Sequence, residues 1–163
     1  MRQALLCVTH LYMTGGYQPN AEQPLIFFPA PVLGIALLAE QPVRMQVSHF
    51  YEITPDLTGY WSVHTTAYSY TIEVEDGPEV VSYHYDPHPE YRDMSNVYGK
   101  PHLHVRGLTR PLPLSKAHFP TDRISLESFL LFAIRELGVY TNRPDAVQIL
   151  EAGDADFQQL RSW

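Results

Sequence analysis

Five of the eight histidines in this 163-residue chain fall within a stretch of 35 residues: His84, His88, His102, His104 and His118. Histidine has an ordinary side-chain pKa near 6.5, so at neutral pH one ring can take up a proton while another gives one away. The same ring is also a common metal ligand. The segment therefore predicts either acid–base catalysis or metal binding.

The run Pro-His-Leu-His-Val-Arg at 101–106 alternates as a short β-strand does. Because strand side chains point alternately to the two faces, His102, His104 and Arg106 are predicted to share one face. The leucine and the valine between them then point towards the core. Two imidazoles and a guanidinium would project side by side from one strand.

A second strand is predicted shortly before this one. In it, His84 and Asp86 share a face, and Tyr83 and Tyr85 share the opposite face. If the two strands are neighbours, an imidazole and a carboxylate join the histidines of the later strand. The sequence alone does not decide whether they are neighbours.

Cleavage of RNA without a metal or cofactor is one chemistry that suits such a cluster. It needs a base for the 2′-hydroxyl proton, an acid for the leaving 5′-oxygen and positive charge near the phosphate. We expect His102 and His104 to be the acid and the base, with His84 and His118 as the reserve candidates. The residues expected to hold the phosphate are Arg106, Lys116 and Arg123.

Metal binding is the alternative chemistry. Two histidines on one face of a strand, completed by a third histidine or Asp86, could hold zinc, iron or manganese. The glutamate that cupin-type sites carry a few residues after His-x-His is missing, because Arg-Gly-Leu-Thr occupies 106–109. Arg106 would also repel a divalent cation. The metal ligand set, if there is one, stays undetermined at this point.

Charge is distributed unevenly along the chain. Its 11 lysines and arginines against 18 aspartates and glutamates give a net charge of −7, which argues against general binding to nucleic acid or anionic membranes. Residues 91–123 nevertheless contain six basic and only two acidic side chains. A compact positive segment in an acidic protein indicates a local anion site. The alternative is a solvated loop region whose charges pair with the acidic remainder.

Hydropathy predicts strands first and helices last. Strands are predicted at 4–13, 43–53, 60–74, 80–86 and 102–108. Helical spacing of apolar residues predicts an amphipathic helix at 126–137, with Ser125 as N-cap and Gly138 just past its end. A second helix is predicted from near Pro144 to about Ala152, stopped by Gly153. This order predicts an α+β fold, with an antiparallel sheet of about five strands and two C-terminal helices packed on one face.

Size and composition are those of an ordinary globular chain. A length of 163 residues predicts a single α+β domain over 1–163. The one cysteine, Cys7, excludes an internal disulfide framework and fits a reducing compartment. The longest apolar stretch, 25–39, is interrupted by prolines and a glycine and is too short for a bilayer-spanning helix. We therefore expect a cytoplasmic protein without a membrane partner.

Four motifs between residues 83 and 139 follow one another in a particular order: Tyr-His-Tyr-Asp, Pro-His-Leu-His-Val, Lys-Ala-His-Phe-Pro-Thr-Asp-Arg, and Ser-Leu-Glu with an apolar helix ending in Leu-Gly-Val. This order resembles small bacterial proteins of poorly defined function. More distantly, it is similar to the TumE-like toxins of toxin–antitoxin pairs, which carry Tyr-Asp on one strand and Pro-His-x-His on the next. The matching positions here are Tyr85, Asp86, His102 and His104, and we expect Tyr85 and Asp86 to take part in substrate binding.

The resemblance implies a toxin that acts on RNA and a neighbouring gene for a helix-turn-helix antitoxin. Our leading interpretation is therefore a toxin component that works as a metal-independent endoribonuclease. The second is a metal-binding enzyme built on His102, His104 and a third ligand. The third is a non-catalytic module that binds a protein partner through its sheet edge or helix pair. The RNA target, the antitoxin and any homo-oligomer are left open.

Overall fold

A computed structural model describes residues 2–28, 34–55, 58–75, 77–87, 99–106 and 119–160. The helices described there are α1 (Arg2–Leu5), α2 (Leu126–Leu137) and α3 (Ala146–Leu160). The strands are β1 (Tyr12–Gly15), β2 (Gln23–Phe28), β3 (Ile35–Leu37), β4 (Val43–Pro55), β5 (Trp61–Val74), β6 (Glu79–Tyr85), β7 (His102–Val105) and β8 (Phe119–Pro120).

The strands described above form one antiparallel sheet in the order β1-β2-β4-β5-β6-β7-β8, and β3 pairs with β4. The two short strands β2 and β3 pair with different ends of the long strand β4. The predicted α+β fold with an antiparallel sheet and two C-terminal helices is confirmed. The prediction of about five strands is too low, because β1, β2, β3 and β8 have only two to six residues, too few for alternation to be clear.

The N-terminal segment corrects the strand predicted at 4–13. Its first residues form α1, and further turns follow, closed by bonds such as that from the Thr9 N–H to the Leu5 carbonyl. Ala4, Leu5 and Val8 are buried. A short apolar run does not distinguish a buried strand from a buried helical turn by periodicity, so the prediction was wrong for 4–11, and only Tyr12 and Met13 lie in a strand, β1.

The centre of the sheet is the pair β4 and β5, which agrees with the strands predicted at 43–53 and 60–74. Their register pairs Val43 with Val74 at one end and Pro55 with Trp61 at the other. The strands predicted at 80–86 and 102–108 correspond to β6 and β7, although 107–108 lie outside the described residues. These strands carry the histidines discussed below.

The hydrophobic core lies between the helices and one face of the sheet. It includes Leu5 of α1, Met45 of β4, Ile72 of β5, Leu130 of α2 and Leu150 of α3, all of them fully or almost fully buried. Among the described residues, no helix is long and apolar enough to cross a membrane.

The predicted helix at 126–137 is confirmed as α2. Ser125 caps it, since its Oγ accepts a hydrogen bond from the Ser128 N–H at 2.8 Å. Gly138 follows with φ 67°, in the left-handed region that glycine adopts without strain. The local signals of the sequence were sufficient to define this helix.

The second predicted helix is longer than expected. α3 begins at Ala146 and continues through Gly153 to Leu160, so Gly153 does not end it. A Cβ atom at position 153 would lie 2.9 Å from Cγ of Glu127 in α2, so the glycine allows the two helices to pack closely. A glycine costs a helix only about 1 kcal/mol relative to alanine, which packing can offset.

Candidate active site

Strands β6 and β7 are neighbours in the sheet, which the sequence had left open. His84 of β6 lies opposite His102 of β7, and in the same register Ser82 lies opposite His104. Tyr83 points the other way and packs against α2. Because strand side chains alternate, the three histidines lie on the sheet face opposite the helices, as predicted for adjacent strands.

The three imidazole rings lie close together. The ring centroids of His102 and His104 are 4.9 Å apart, and those of His84 and His104 are 5.2 Å apart. The centroids of His84 and His102 are 5.6 Å apart, with their planes only 22° from parallel. Three proton-carrying rings thus form one group, the histidine cluster, that could act on adjacent atoms of one substrate.

His102 is the most enclosed member of the histidine cluster, with no exposed surface. Its Nδ1 lies 2.7 Å from the carbonyl oxygen of Lys100. A carbonyl oxygen only accepts hydrogen bonds, so Nδ1 donates and the neutral ring carries its proton there. This bond fixes the tautomer and orientation of a ring that contacts protein groups on every side.

His84 is held by a chain of hydroxyl groups. Its Nε2 lies 2.6 Å from Oγ of Ser82, and this Oγ is 2.5 Å from Oγ1 of Thr71 on β5. Ser82 is fully buried. The buried serine was not singled out from the sequence, although its place on the same strand face as His84 was the available signal.

Arg106 lies just beyond the end of β7, two residues after His104. Its side chain is 51% exposed, and its Nε is 3.6 Å from Oε1 of Glu79 at the start of β6. An exposed ion pair of this kind is weak, worth about 0–1 kcal/mol. The guanidinium is therefore available to an anion that competes with Glu79.

Tyr85 and Arg123 lie away from the histidine cluster. Tyr85 occupies the opposite strand face, where its ring contacts Tyr68 and the guanidinium of Arg123 stacks 4.7 Å from its centroid. Arg123 also donates a hydrogen bond to the carbonyl oxygen of Thr65 at 2.8 Å. Asp86, which follows β6, is buried. Of the predicted substrate-binding residues in the described part, Asp86 and Arg106 each lie two residues after a cluster histidine, just past the ends of β6 and β7.

Two of the predicted site residues, Lys116 and His118, lie outside the described residues, as does most of the positive segment at 91–123. Within the described ranges, no group of three or more His, Cys, Asp or Glu side chains is arranged to hold a metal ion.

Comparison of the chain with protein-family models, curated proteins and solved structures finds no match. The class of protein is therefore defined by its own fold and site. It is an α+β protein with a histidine cluster on the sheet face opposite the helices. The similarity to TumE-like toxins stays a prediction from short motifs.

A second polar environment was missed from the sequence. His49 lies in β4 among inward-pointing apolar residues and is 4% exposed. Burial lowers the pKa of His49 to about 4, so its ring is neutral at physiological pH. The available signal was a histidine on the apolar face of an alternating strand.

Proposed function

We propose that this protein is the toxin component of a bacterial toxin–antitoxin pair and cleaves RNA as a metal-independent endoribonuclease. The observation that carries the proposal is the mutual proximity of His84, His102 and His104, with ring centroids 4.9 to 5.6 Å apart. The base acts on the attacking 2′-oxygen and the acid on the leaving 5′-oxygen, and in the transition state both oxygens are bonded to the same phosphorus atom. Rings this close can serve both oxygens.

His104 and His84 are the residues proposed to exchange protons with RNA, because both are partly exposed. Nδ1 of His84 is buried, so in this proposal its Nε2 exchanges the hydrogen bond with Ser82 for one with RNA. One ring takes the proton of the 2′-hydroxyl while the 2′-oxygen forms a bond to phosphorus. The bond from phosphorus to the 5′-oxygen breaks, and the other ring gives its proton to that oxygen. The products are a 2′,3′-cyclic phosphate and a 5′-hydroxyl. Each proton transfer contributes about 10²–10⁴ in rate.

His102 has a different role in this proposal from the one expected from the sequence. Its ring has no exposed surface and is hydrogen-bonded to the Lys100 carbonyl, so we assign it the positioning of His84 and His104. Arg106 would hold a non-bridging phosphate oxygen, where positive charge stabilises the transition state. Lys116 and His118 remain candidates for the same site.

The partner proposal rests on charge and on the motif resemblance. The chain has a net charge of −7, so most of its surface favours a basic protein over RNA. The antitoxin of a toxin–antitoxin pair must bind both its toxin and DNA, and DNA binding requires basic residues. We therefore propose a basic helix-turn-helix antitoxin encoded beside this gene.

Expression in bacteria tests the proposal directly. The unaltered chain is expected to arrest growth, and His104→Ala is expected to relieve the arrest while the protein still accumulates and folds. His64→Ala is the matched control, since His64 is an exposed histidine of β5 in the same sheet. The control is expected to arrest growth as the unaltered chain does. Arrest that persists with folded His104→Ala would contradict catalysis and favour a protein-binding module.

The purified protein tests the chemistry. We expect cleavage of RNA in the presence of a chelator, products with 2′,3′-cyclic phosphate ends, and no cleavage where the scissile nucleotide lacks its 2′-hydroxyl. Cleavage that stops with chelator and returns with zinc or manganese would favour the metal-binding enzyme. Cleavage of the 2′-deoxy substrate would contradict the proposed nucleophile.

A further inference from the structure

A cavity of about 200 Å³ lies between the sheet and the start of α2, with α3 as its third wall. Its polar wall is formed by His49 of β4 together with Thr65 and Tyr70 of β5. These side chains belong to the sheet face that is covered by the helices. The cavity is therefore separated by the sheet from the histidine cluster, and it has no role in the proposed cleavage.

The polar wall is a short hydrogen-bonded chain. Nδ1 of His49 lies 2.6 Å from the hydroxyl oxygen of Tyr70, and its Nε2 lies 3.2 Å from Oγ1 of Thr65. Burial lowers the pKa of His49 to about 4 and raises that of Tyr70, so both are neutral near pH 7. His49 donates a hydrogen bond to one of the two hydroxyls, Tyr70 or Thr65, and accepts one from the other. In either tautomer, the hydroxyl that accepts from His49 can still donate, and the hydroxyl that donates to His49 can still accept. The wall thus offers uncharged hydrogen bonds of both kinds.

A register irregularity lies next to this wall. Phe50 pairs with Ala67 and the next residue, Tyr51, pairs with Thr65, so Thr66 is the extra residue of a β-bulge. A bulge re-aims the side chains beside it and is common next to functional sites. The bulge lies immediately after Thr65, which contacts His49 on the helix-covered face.

The remaining walls are largely apolar. Ile124, Leu126 and Phe157 supply them, and Gly153 adds no side chain. Glu127 also lines the cavity and is only 7% exposed, which disfavours an anionic ligand there. Arg123 lies close enough for its positive charge to help burial keep His49 neutral. The same charge disfavours a cationic ligand. An uncharged ligand fits both constraints.

We propose that this cavity is a binding site for a small, uncharged aromatic molecule that carries one hydroxyl group, such as a phenol. The ring would lie against Ile124 and Phe157, and the hydroxyl would exchange hydrogen bonds with Thr65, which His49 links to the buried Tyr70. The volume supports this size, since an engineered cavity of about 150 Å³ in another protein holds benzene. A ligand of seven non-hydrogen atoms is expected to have a Kd on the order of 1 mM.

Titration of the folded protein with phenol and with toluene tests the proposal, because the two probes differ mainly in the hydroxyl. The readout is the NMR shift of the His49 ring protons, with the exposed ring of His64 as internal reference. We expect phenol to shift the His49 signals and to raise Tm, with toluene at least about threefold weaker. Benzoate, the charged counterpart, is expected to bind more weakly than phenol.

Two variants separate hydrogen bonding from simple filling of space. Thr65→Val is expected to raise the Kd of phenol about three- to tenfold, because a hydrogen-bonding group is lost. The Kd of toluene is expected to change by less than about twofold. Ile124→Phe adds a ring to an apolar wall and is expected to abolish the binding of both probes. No response of His49 to phenol at roughly 10 mM, well above the expected Kd, would overturn the proposal. If Thr65→Val weakens the binding of phenol and of toluene equally, the assigned ligand class is wrong. It is also wrong if benzoate binds more tightly than phenol.

Discussion

The ring of His104 stands edge-on to the ring of His84, with the two planes at 90° and the centroids 5.2 Å apart. The two residues are diagonal neighbours on β6 and β7, because His84 lies opposite His102 and Ser82 lies opposite His104. Their separation is therefore set by strand register and not by a loop. Sites built on strands hold their geometry more tightly than sites built on loops.

His102→Asn tests whether His102 positions its neighbours or transfers a proton itself. The asparagine amide can still donate to the Lys100 carbonyl, but it exchanges no proton near neutral pH. We expect kcat/KM for RNA cleavage to fall less than about tenfold and the pH–rate profile to keep its shape, whereas loss of an acid or base costs about 10²–10⁴. If His102→Asn lowers kcat/KM as much as His104→Ala does, His102 is a proton-transfer residue and not a positioning residue.

Glu79→Gln tests the phosphate role of Arg106. Removing the carboxylate that pairs with Arg106 frees the guanidinium, so affinity for RNA is expected to rise a few-fold at low salt. Binding is measured as a function of salt concentration. Stability should change by less than about 1 kcal/mol, because the ion pair is exposed.

A matched control for this experiment is Glu75→Gln. Glu75, which follows the end of β5, forms an exposed ion pair with Arg44 of β4 at 2.8 Å, and neither residue is assigned to the site. Both variants remove one negative charge, so a general charge effect would raise affinity equally in the two. An equal rise would argue against a specific role for Arg106.

Acid is expected to destabilise the protein through His49. Its pKa is about 4 in the folded state against an ordinary 6.5, because burial disfavours the charged ring. Between these values the unfolded chain binds more protons, so the free energy of unfolding falls as pH falls. Over this range the contribution of His49 is up to about 3 kcal/mol.

His49→Asn isolates that contribution. Asparagine can still hydrogen-bond to the Tyr70 hydroxyl but does not titrate. Denaturant unfolding at a series of pH values is expected to show a shallower loss of stability below about pH 6.5 in the variant. Parallel pH curves for the two proteins would mean that His49 is not buried neutral.

Gly153→Ala is expected to destabilise the protein, although alanine usually stabilises a helix by about 1 kcal/mol relative to glycine. The added methyl would lie 2.9 Å from Cγ of the buried Glu127. Overpacking of this kind costs about 1–3 kcal/mol. The measurement is the free energy of unfolding from denaturant curves.

The cause of that loss is tested with Glu127→Ala. In the Glu127→Ala background the obstructing Cγ is absent, so Gly153→Ala should become neutral or stabilising. Additive effects of the two substitutions would show that the glycine serves some purpose other than close approach to Glu127.

The elements whose signals are local could be predicted from the amino-acid sequence alone. The helical spacing of α2, its cap at Ser125 and its glycine end at Gly138 agree with the structure. The alternation of β6 also predicted that His84 lies on the face opposite Tyr83 and Tyr85. These features depend on neighbours a few residues apart, so backbone geometry and short-range hydrogen bonds are sufficient to define them.

Features that depend on contacts between distant residues became known only from the three-dimensional fold. The first helix replaces a predicted strand because its apolar side chains are buried in the core, and Gly153 lies within α3 because Glu127 packs beside it. The closeness of His84 to His104 required β6 and β7 to be adjacent. The cavity beside His49 required two strands and two helices to meet. Such contacts are selected by packing across the whole core, which no local pattern of residues encodes.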